Sequence, residues 1–290
     1  MPSTAAASTL LYVIGGAEDR VGDRAVLREF VRLAGGNGAR IAVLATASSL
    51  GVEILDAYDG VFQDLGSAPV VRLCPQTRQE ASDPGAVAAL DDVDAVFMTG
   101  GNQLKLTAIV TGTPFGEALV RAYRRGVVVG GTSAGASAVS VHMIAFGDDG
   151  DSPRQGSGQL SAGLGLLAGL VVDQHFAQRN RFGRLLSVVA RSPSLLGVGL
   201  DEDTAAVIRD GHSLEVVGAG CVFVADGSRA VSDAHLAEGA APLLISGVVL
   251  HTLPAGAQFD LVERRLVGFT EAHPHEVAAR RTEDGGHRAT

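Results

Sequence analysis

Up to Leu200 the chain repeats one pattern: a short run of consecutive apolar, often β-branched residues, then a glycine or small-residue turn, then a longer amphipathic stretch. Consecutive apolar positions, in place of alternating ones, are what a parallel strand covered on both faces needs. They predict strands over 10–14, 40–44, 70–73, 95–98, 127–130 and 196–200. Apolar spacing of the helical kind predicts helices over 24–34, 51–65, 84–90, 114–125 and 181–191. Strands alternating with helices indicate an α/β protein with a mostly parallel sheet flanked by helices.

Beyond Leu200 the rhythm shortens. Runs at 205–209, 213–217, 221–225 and 247–250 are separated by Asp-Gly or glycine-rich turns and read as antiparallel hairpins added to the same sheet. The segment 146–162, with Gly147-Asp148-Asp149-Gly150-Asp151-Ser152-Pro153 and a later Gly-Ser-Gly-Gln, reads as a mobile loop. No shift in composition marks a boundary, so residues 1–290 are expected to form a single domain, with flexible tails over 1–8 and about 280–290.

Composition narrows the function. Hydrophobic residues make up 46% and charged residues 19% of the 290, which excludes a disordered chain. The 38 glycines follow no three-residue period and many end apolar runs, where tight turns and close backbone approach to a ligand call for them. A net charge of −9 argues against nucleic acid as a partner. Cys74 and Cys221 stand in apolar stretches and read as small buried hydrophobes, not as a disulfide or a zinc site. With no basic leader and no apolar run long enough to span a bilayer, the expected location is the cytoplasm and no membrane partner is expected.

Candidate chemistry collects where predicted strands end. Gly131-Thr132-Ser133-Ala134-Gly135 follows a buried strand and forms G-x-S-x-G, the spacing of a nucleophile elbow: small neighbours let the backbone turn sharply and leave Ser133 Oγ exposed beside a helix N-terminus. The bland alternative is a glycine turn with an incidental serine. A phosphate loop is less favoured, since no G-x-x-x-x-G-K-[ST] is present. A second junction, Thr99-Gly100-Gly101-Asn102-Gln103, would face the same crevice. There the N–H of Gly100 or Gly101, together with that of Ala134, could hold an oxyanion, and Gln103 could touch substrate or simply open a helix.

Among eight histidines, His175 is the candidate base: it ends an apolar run within Asp173-Gln174-His175-Phe176 and precedes Arg179, Arg181 and Arg184, cations suited to carboxylates. Asp201-Glu202-Asp203 follows the next apolar run; strand alternation would send Glu202 toward the imidazole and its neighbours elsewhere, with Asp148, Asp149 or Asp151 as alternatives. His273-Pro274-His275-Glu276 lacks zinc-site spacing and reads as surface, and no metal or other cofactor is expected.

In order, Thr99 to Gln103, Gly130 to Ala136, Asp173 to Phe176 with Gln178, Arg179, Arg181, Gly183, Arg184 and Leu185, and Asp201 to Thr204 resemble the cyanophycinase family of serine peptidases, which also contains aspartyl dipeptidases. The resemblance implies a class I glutamine amidotransferase-like (flavodoxin-like) three-layer sandwich. It also implies exopeptidase cleavage of cyanophycin, a poly-aspartate whose β-carboxyls carry arginine, into β-Asp-Arg dipeptides. By that resemblance Ser133, His175 and Glu202 are nucleophile, base and orienting acid, while Gln103, Asp173, Gln174, Arg179, Arg181 and Arg184 line the substrate pocket. Asn102 stands where the family usually has an acid, and the loop 147–158 is longer than usual. Short Asp-X peptides are the alternative substrate, a non-catalytic binding module the alternative role. A homodimer is expected.

Overall fold

The computed structural model describes residues 7–270. The tail over 280–290, the segment 273–276 and the first six residues lie outside that range. Ser8, expected in a flexible tail, is tied down: its hydroxyl and the Thr9 N–H both bond to the Asp210 carboxylate.

The chain starts with β1 (Leu10–Ile14), α1 (Ala25–Leu33), β2 (Ile41–Leu44), α2 (Val52–Asp64), β3 (Val71–Leu73), α3 (Pro84–Ala88), β4 (Ala95–Met98), α4 (Gln103–Val110), α5 (Pro114–Arg124) and β5 (Val128–Thr132). It continues through α6 (Ala134–Ala138), β6 (His142–Gly147), β7 (Gly158–Ala162), β8 (Leu170–Asp173), α7 (Phe182–Arg191), β9 (Leu196–Leu200), β10 (Thr204–Arg209) and β11 (Ser213–Gly218). Six further strands complete it: β12 (Cys221–Asp226), β13 (Val231–Ser232), β14 (Ile245–Ser246), β15 (Val249–Pro254), β16 (Ala257–Asp260) and β17 (Arg265–Phe269).

Nine strands form the main sheet in the order β17-β16-β11-β10-β1-β5-β4-β2-β3. From β1 to β3 every pairing is parallel, and from β1 to β17 every pairing is antiparallel. The expectation of a mostly parallel sheet is therefore corrected to a mixed one. The ends of β1 and β9 lie at one edge, where the N–H groups of His175 and Phe176 bond to Gly15 O and Leu200 O, so after the short turn 201–203 β10 starts at that edge and runs back along β1.

A second correction concerns β9. Its run at 196–200 belongs to a separate four-stranded sheet, β15-β12-β9-β8, in which only β8 and β9 are parallel. An apolar run reports burial on both faces but not which sheet does the burying. The segment 146–162 is also not a plain loop. Its two ends pair as the hairpin β6–β7, and the tip is fastened by Asp148 N–H to Ser157 O and by Leu243 N–H to Pro153 O.

Helices cover both faces of the main sheet. On one, α1 and α2 press Phe30, Tyr58 and Phe62 against Phe97 and Tyr12 of the sheet, with ring centroids 4.8–5.8 Å apart. On the other, α4, α5 and α6 share a core with β8, β9 and β12 of the second sheet. Among the described residues no helix is long and apolar enough to cross a membrane.

Candidate active site

Ser133 sits between β5 and α6 with φ 52° and ψ −109°, a backbone region costly for a non-glycine residue and held only by close packing around it. That packing is glycine against backbone. A Cβ on Gly131 would stand 2.5 Å from the Gly135 carbonyl carbon, and one on Gly135 2.5 Å from Met98 O, so the turn closes only because both lack side chains. The Ser133 N–H donates to Ile14 O at 3.0 Å, which locks the elbow to β1.

His175 arrives from the second sheet, just past the end of β8, with φ 47°. Its N–H donates to Gly15 O at 2.8 Å, and the next N–H, of Phe176, donates to Leu200 O at 3.0 Å. The imidazole rests on Gly16 (φ +99°), where a Cβ would lie 2.3 Å from the ring's Cε1. So placed, Nε2 is 3.0 Å from Ser133 Oγ and Nδ1 is 2.6 Å from Glu202 Oε1. The network sets the tautomer: Nδ1–H donates to the carboxylate, and Nε2 accepts the serine hydroxyl. Burial pushes the His175 pKa below its ordinary value; the Glu202 hydrogen bond opposes that shift, and Arg179 and Arg181 add to it.

Glu202 is the acid that meets the ring, but strand alternation is not the cause, because 201–203 is a turn. Its neighbours hold that turn in place. The Asp201 carboxylate accepts from the N–H groups of Ala177 and Cys221, the Asp203 N–H donates to Gly16 O, and the Glu202 N–H donates to Gln178 Oε1 at 3.0 Å. Of the alternative acids, Asp149 is engaged elsewhere, 3.0 Å from Arg181 Nε.

The cations divide by exposure. Asp173 is fully buried, takes the Arg184 Nε–H at 2.6 Å and pairs with Nη2 of the same guanidinium. Arg181, also buried, reaches Asp149 and donates from Nη1 to Gln174 O at 2.7 Å. Arg184 and Asp173 are thus paired out of water beside the site, with Arg181 Nη1 a further 3.6 Å from Asp173 Oδ1. Arg179 is exposed and forms no ion pair with the described residues. Gln174 Oε1 lies 3.3 Å from Ser133 Oγ, and Gln103 spends its amide N–H groups on the carbonyls of Ile144 and Ala145, pinning β6 to α4. Asn102 caps α4 through the Lys105 N–H.

Gly100 lies against the nucleophile, its notional Cβ 3.3 Å from that of Ser133. Ala134, as first residue of α6, has an N–H with no acceptor within its helix. A cavity of about 910 Å³ along edge strand β3 shares no residue with this group. A smaller one of about 300 Å³ does, opening beside Ser133 between Gly100, Gly101, Ser48 and Leu50 and floored by Glu18 and Tyr58. Neither cysteine is fully buried as expected; both are half-buried and free, and burial raises the Cys221 pKa. Among the described residues no three His, Cys, Asp or Glu are grouped to hold a metal.

Sequence reasoning missed Gly15-Gly16 and Glu18, and gave Gln178 no role of its own. The glycine pair carried a usable signal, since it ends a buried strand just as Gly100-Gly101 does.

Residues 11–216 match the model of peptidase family S51. The chain is 38% identical over 269 residues to a cyanophycinase of Nostoc sp., covering 92% of this chain and 90% of that one. It is 39% identical over 253 residues to a cyanophycinase of Geminocystis herdmanii, covering 86% and 93%. Among solved structures, a peptidase from an acI-B1 Actinobacterium shares the fold with a TM-score of 0.64 at 21% identity, over 88% of this chain and 97% of that one. A putative peptidase E protein from Listeria monocytogenes gives 0.53 at 16%, over 74% and 100%.

Proposed function

The chain belongs to peptidase family S51, and from that premise we propose that it is a serine exopeptidase that hydrolyses cyanophycin to β-Asp-Arg dipeptides. The observation that carries this reading is the continuous relay from Ser133 Oγ through the His175 ring to Glu202, with steps of 3.0 and 2.6 Å. In it Ser133 attacks an aspartyl carbonyl while His175 Nε2 takes the hydroxyl proton and Glu202 stabilises the imidazolium. The negative oxygen forms beside the N–H of Ala134 and that of Gly100 or Gly101. His175 returns its proton to the leaving amine, then takes one from the water that releases the acyl group. Arg179, exposed and without an acidic partner among the described residues, is the cation we assign to a substrate carboxylate. Gln174 and Arg181 shape the wall behind the serine.

We read the fold as an amidotransferase-like sandwich in one catalytic domain, and the working form as a cytoplasmic homodimer. The test is incubation of the purified protein with insoluble cyanophycin. β-Asp-Arg is the expected product, and Ser133→Ala should lower kcat on the order of 10⁶-fold without changing the melting temperature by more than a few degrees. Release from Asp-X dipeptides with none from the polymer would move the assignment to an aspartyl dipeptidase.

A further inference from the structure

Glu18 is a buried carboxylate with no role in the relay. It follows Gly15-Gly16 at the end of β1, is 6% exposed and floors the cavity of about 300 Å³ beside Ser133. Its Oε2 accepts the Thr132 hydroxyl at 2.5 Å, one residue before the nucleophile, and its Oε1 accepts the Tyr58 phenol. Burial and the neighbouring Glu18 raise the Tyr58 pKa well above its usual value, so that phenol remains a donor. Neutral hydroxyls are the only donors Glu18 has among the described residues, and it makes no ion pair there. A carboxylate offers about four lone-pair positions, so roughly two stay open. A carboxylate out of water and without a cation is one half of a charge pair.

Resting on the proposed function, we infer that this cavity is a guanidinium subsite in which Glu18 holds the arginine side chain borne by the aspartyl residue that Ser133 attacks. A guanidinium presents planar paired donors that suit the open side of a carboxylate, and a lysine-type ammonium does not. The cavity adjoins the nucleophile, where that side chain must branch from the scissile residue. At the exposed mouth the Arg20 guanidinium stands 5.7 Å from the Tyr58 ring centroid, placed to meet the free carboxylate of the same arginine. The subsite thus sorts substrates by the charge at both ends of the branch.

The test compares cyanophycin with the same polymer after its guanidines have been converted to the neutral ureas of citrulline, a change of charge with almost none of shape. Wild-type enzyme should prefer the arginine polymer by roughly ten- to hundredfold in kcat/KM. Glu18→Gln should bring that preference close to one, whereas Tyr58→Phe, which removes a hydrogen bond and keeps the charge, should preserve it. A wild-type preference near one overturns the inference even if the Gln variant fails to fold. So does a Glu18→Gln variant that loses the same factor on both polymers, which would make Glu18 a strut beneath the elbow. Absence of any cleavage of cyanophycin by the wild type would instead overturn the proposed function.

Discussion

The two sides of the relay are held by different physics. On the main-sheet side, Ser133 is fixed by backbone lying against backbone, with Gly131 too close to Gly135, and Gly135 too close to Met98, for either glycine to admit a Cβ. On the second-sheet side, the ledge that carries His175 rests on charge: Asp173 and Arg184 paired out of water, and Arg181 bridging to Asp149 at the hairpin tip. Backbone contact leaves no alternative arrangement, while a charge pair is satisfied by any replacement that removes both charges together. The elbow should therefore be unforgiving and the ledge repairable.

That contrast breaks first at Gly135. In Gly135→Val the new side chain meets Met98 O, and we expect kcat to fall on the order of 100-fold or more, with a stability loss of about 1–3 kcal/mol and no recovery from any single neighbouring change. Kinetics and thermal melts check both parts. Arg184→Met leaves the buried Asp173 charge with only the Arg181 guanidinium, 3.6 Å from its Oδ1, and should cost about 3 kcal/mol. Adding Asp173→Asn, which keeps an acceptor for the Gln174 N–H, should restore most of it in chemical denaturation; failure of the double variant to recover would erase the distinction between the two sides.

A pH profile sharpens the same comparison. Protonated His175 cannot accept the serine proton, so activity is lost as pH falls through the pKa of the ring in the folded enzyme. Because burial lowers that pKa, the acid limb of kcat/KM should lie below the ordinary imidazole value of 6.5. Glu202→Gln removes the partner that holds the charged form, so residual activity should have its acid limb lower still. The smallest effect belongs to Asn102→Ala: losing the cap of α4 should cost about 1 kcal/mol and leave the pH profile in place.

Much of the parallel half is visible in the sequence because its strands are covered on both faces, so β1, β2 and β4 stand out as unbroken apolar runs. Ser133 and His175 were legible for a related reason: each ends such a run. What the sequence hid depends on partners far along the chain. The tip between β6 and β7 is built from Gly, Ser and Asp that read as loop, and the hairpin is anchored by Gln103 and by the segment around Leu243. The assignment of β9 to a second sheet and the antiparallel insertion of β10 follow from where those strands find neighbours, which local pattern does not encode. Glu18 stands in the polar run Glu18-Asp19-Arg20, the usual look of a surface turn, and becomes buried only because α2 brings Tyr58 over it.

The pairing of Leu10 with Arg209 across β1 and β10 makes the relay a property of the whole fold. The serine stands at 133, but the groups that activate it come from residues 175 and 202, and both turns are tied to the end of β1, through Gly15 O and Gly16 O. A domain folds as a unit, so a chain cut before about Arg209 carries the nucleophile without its relay and should be inert toward peptides.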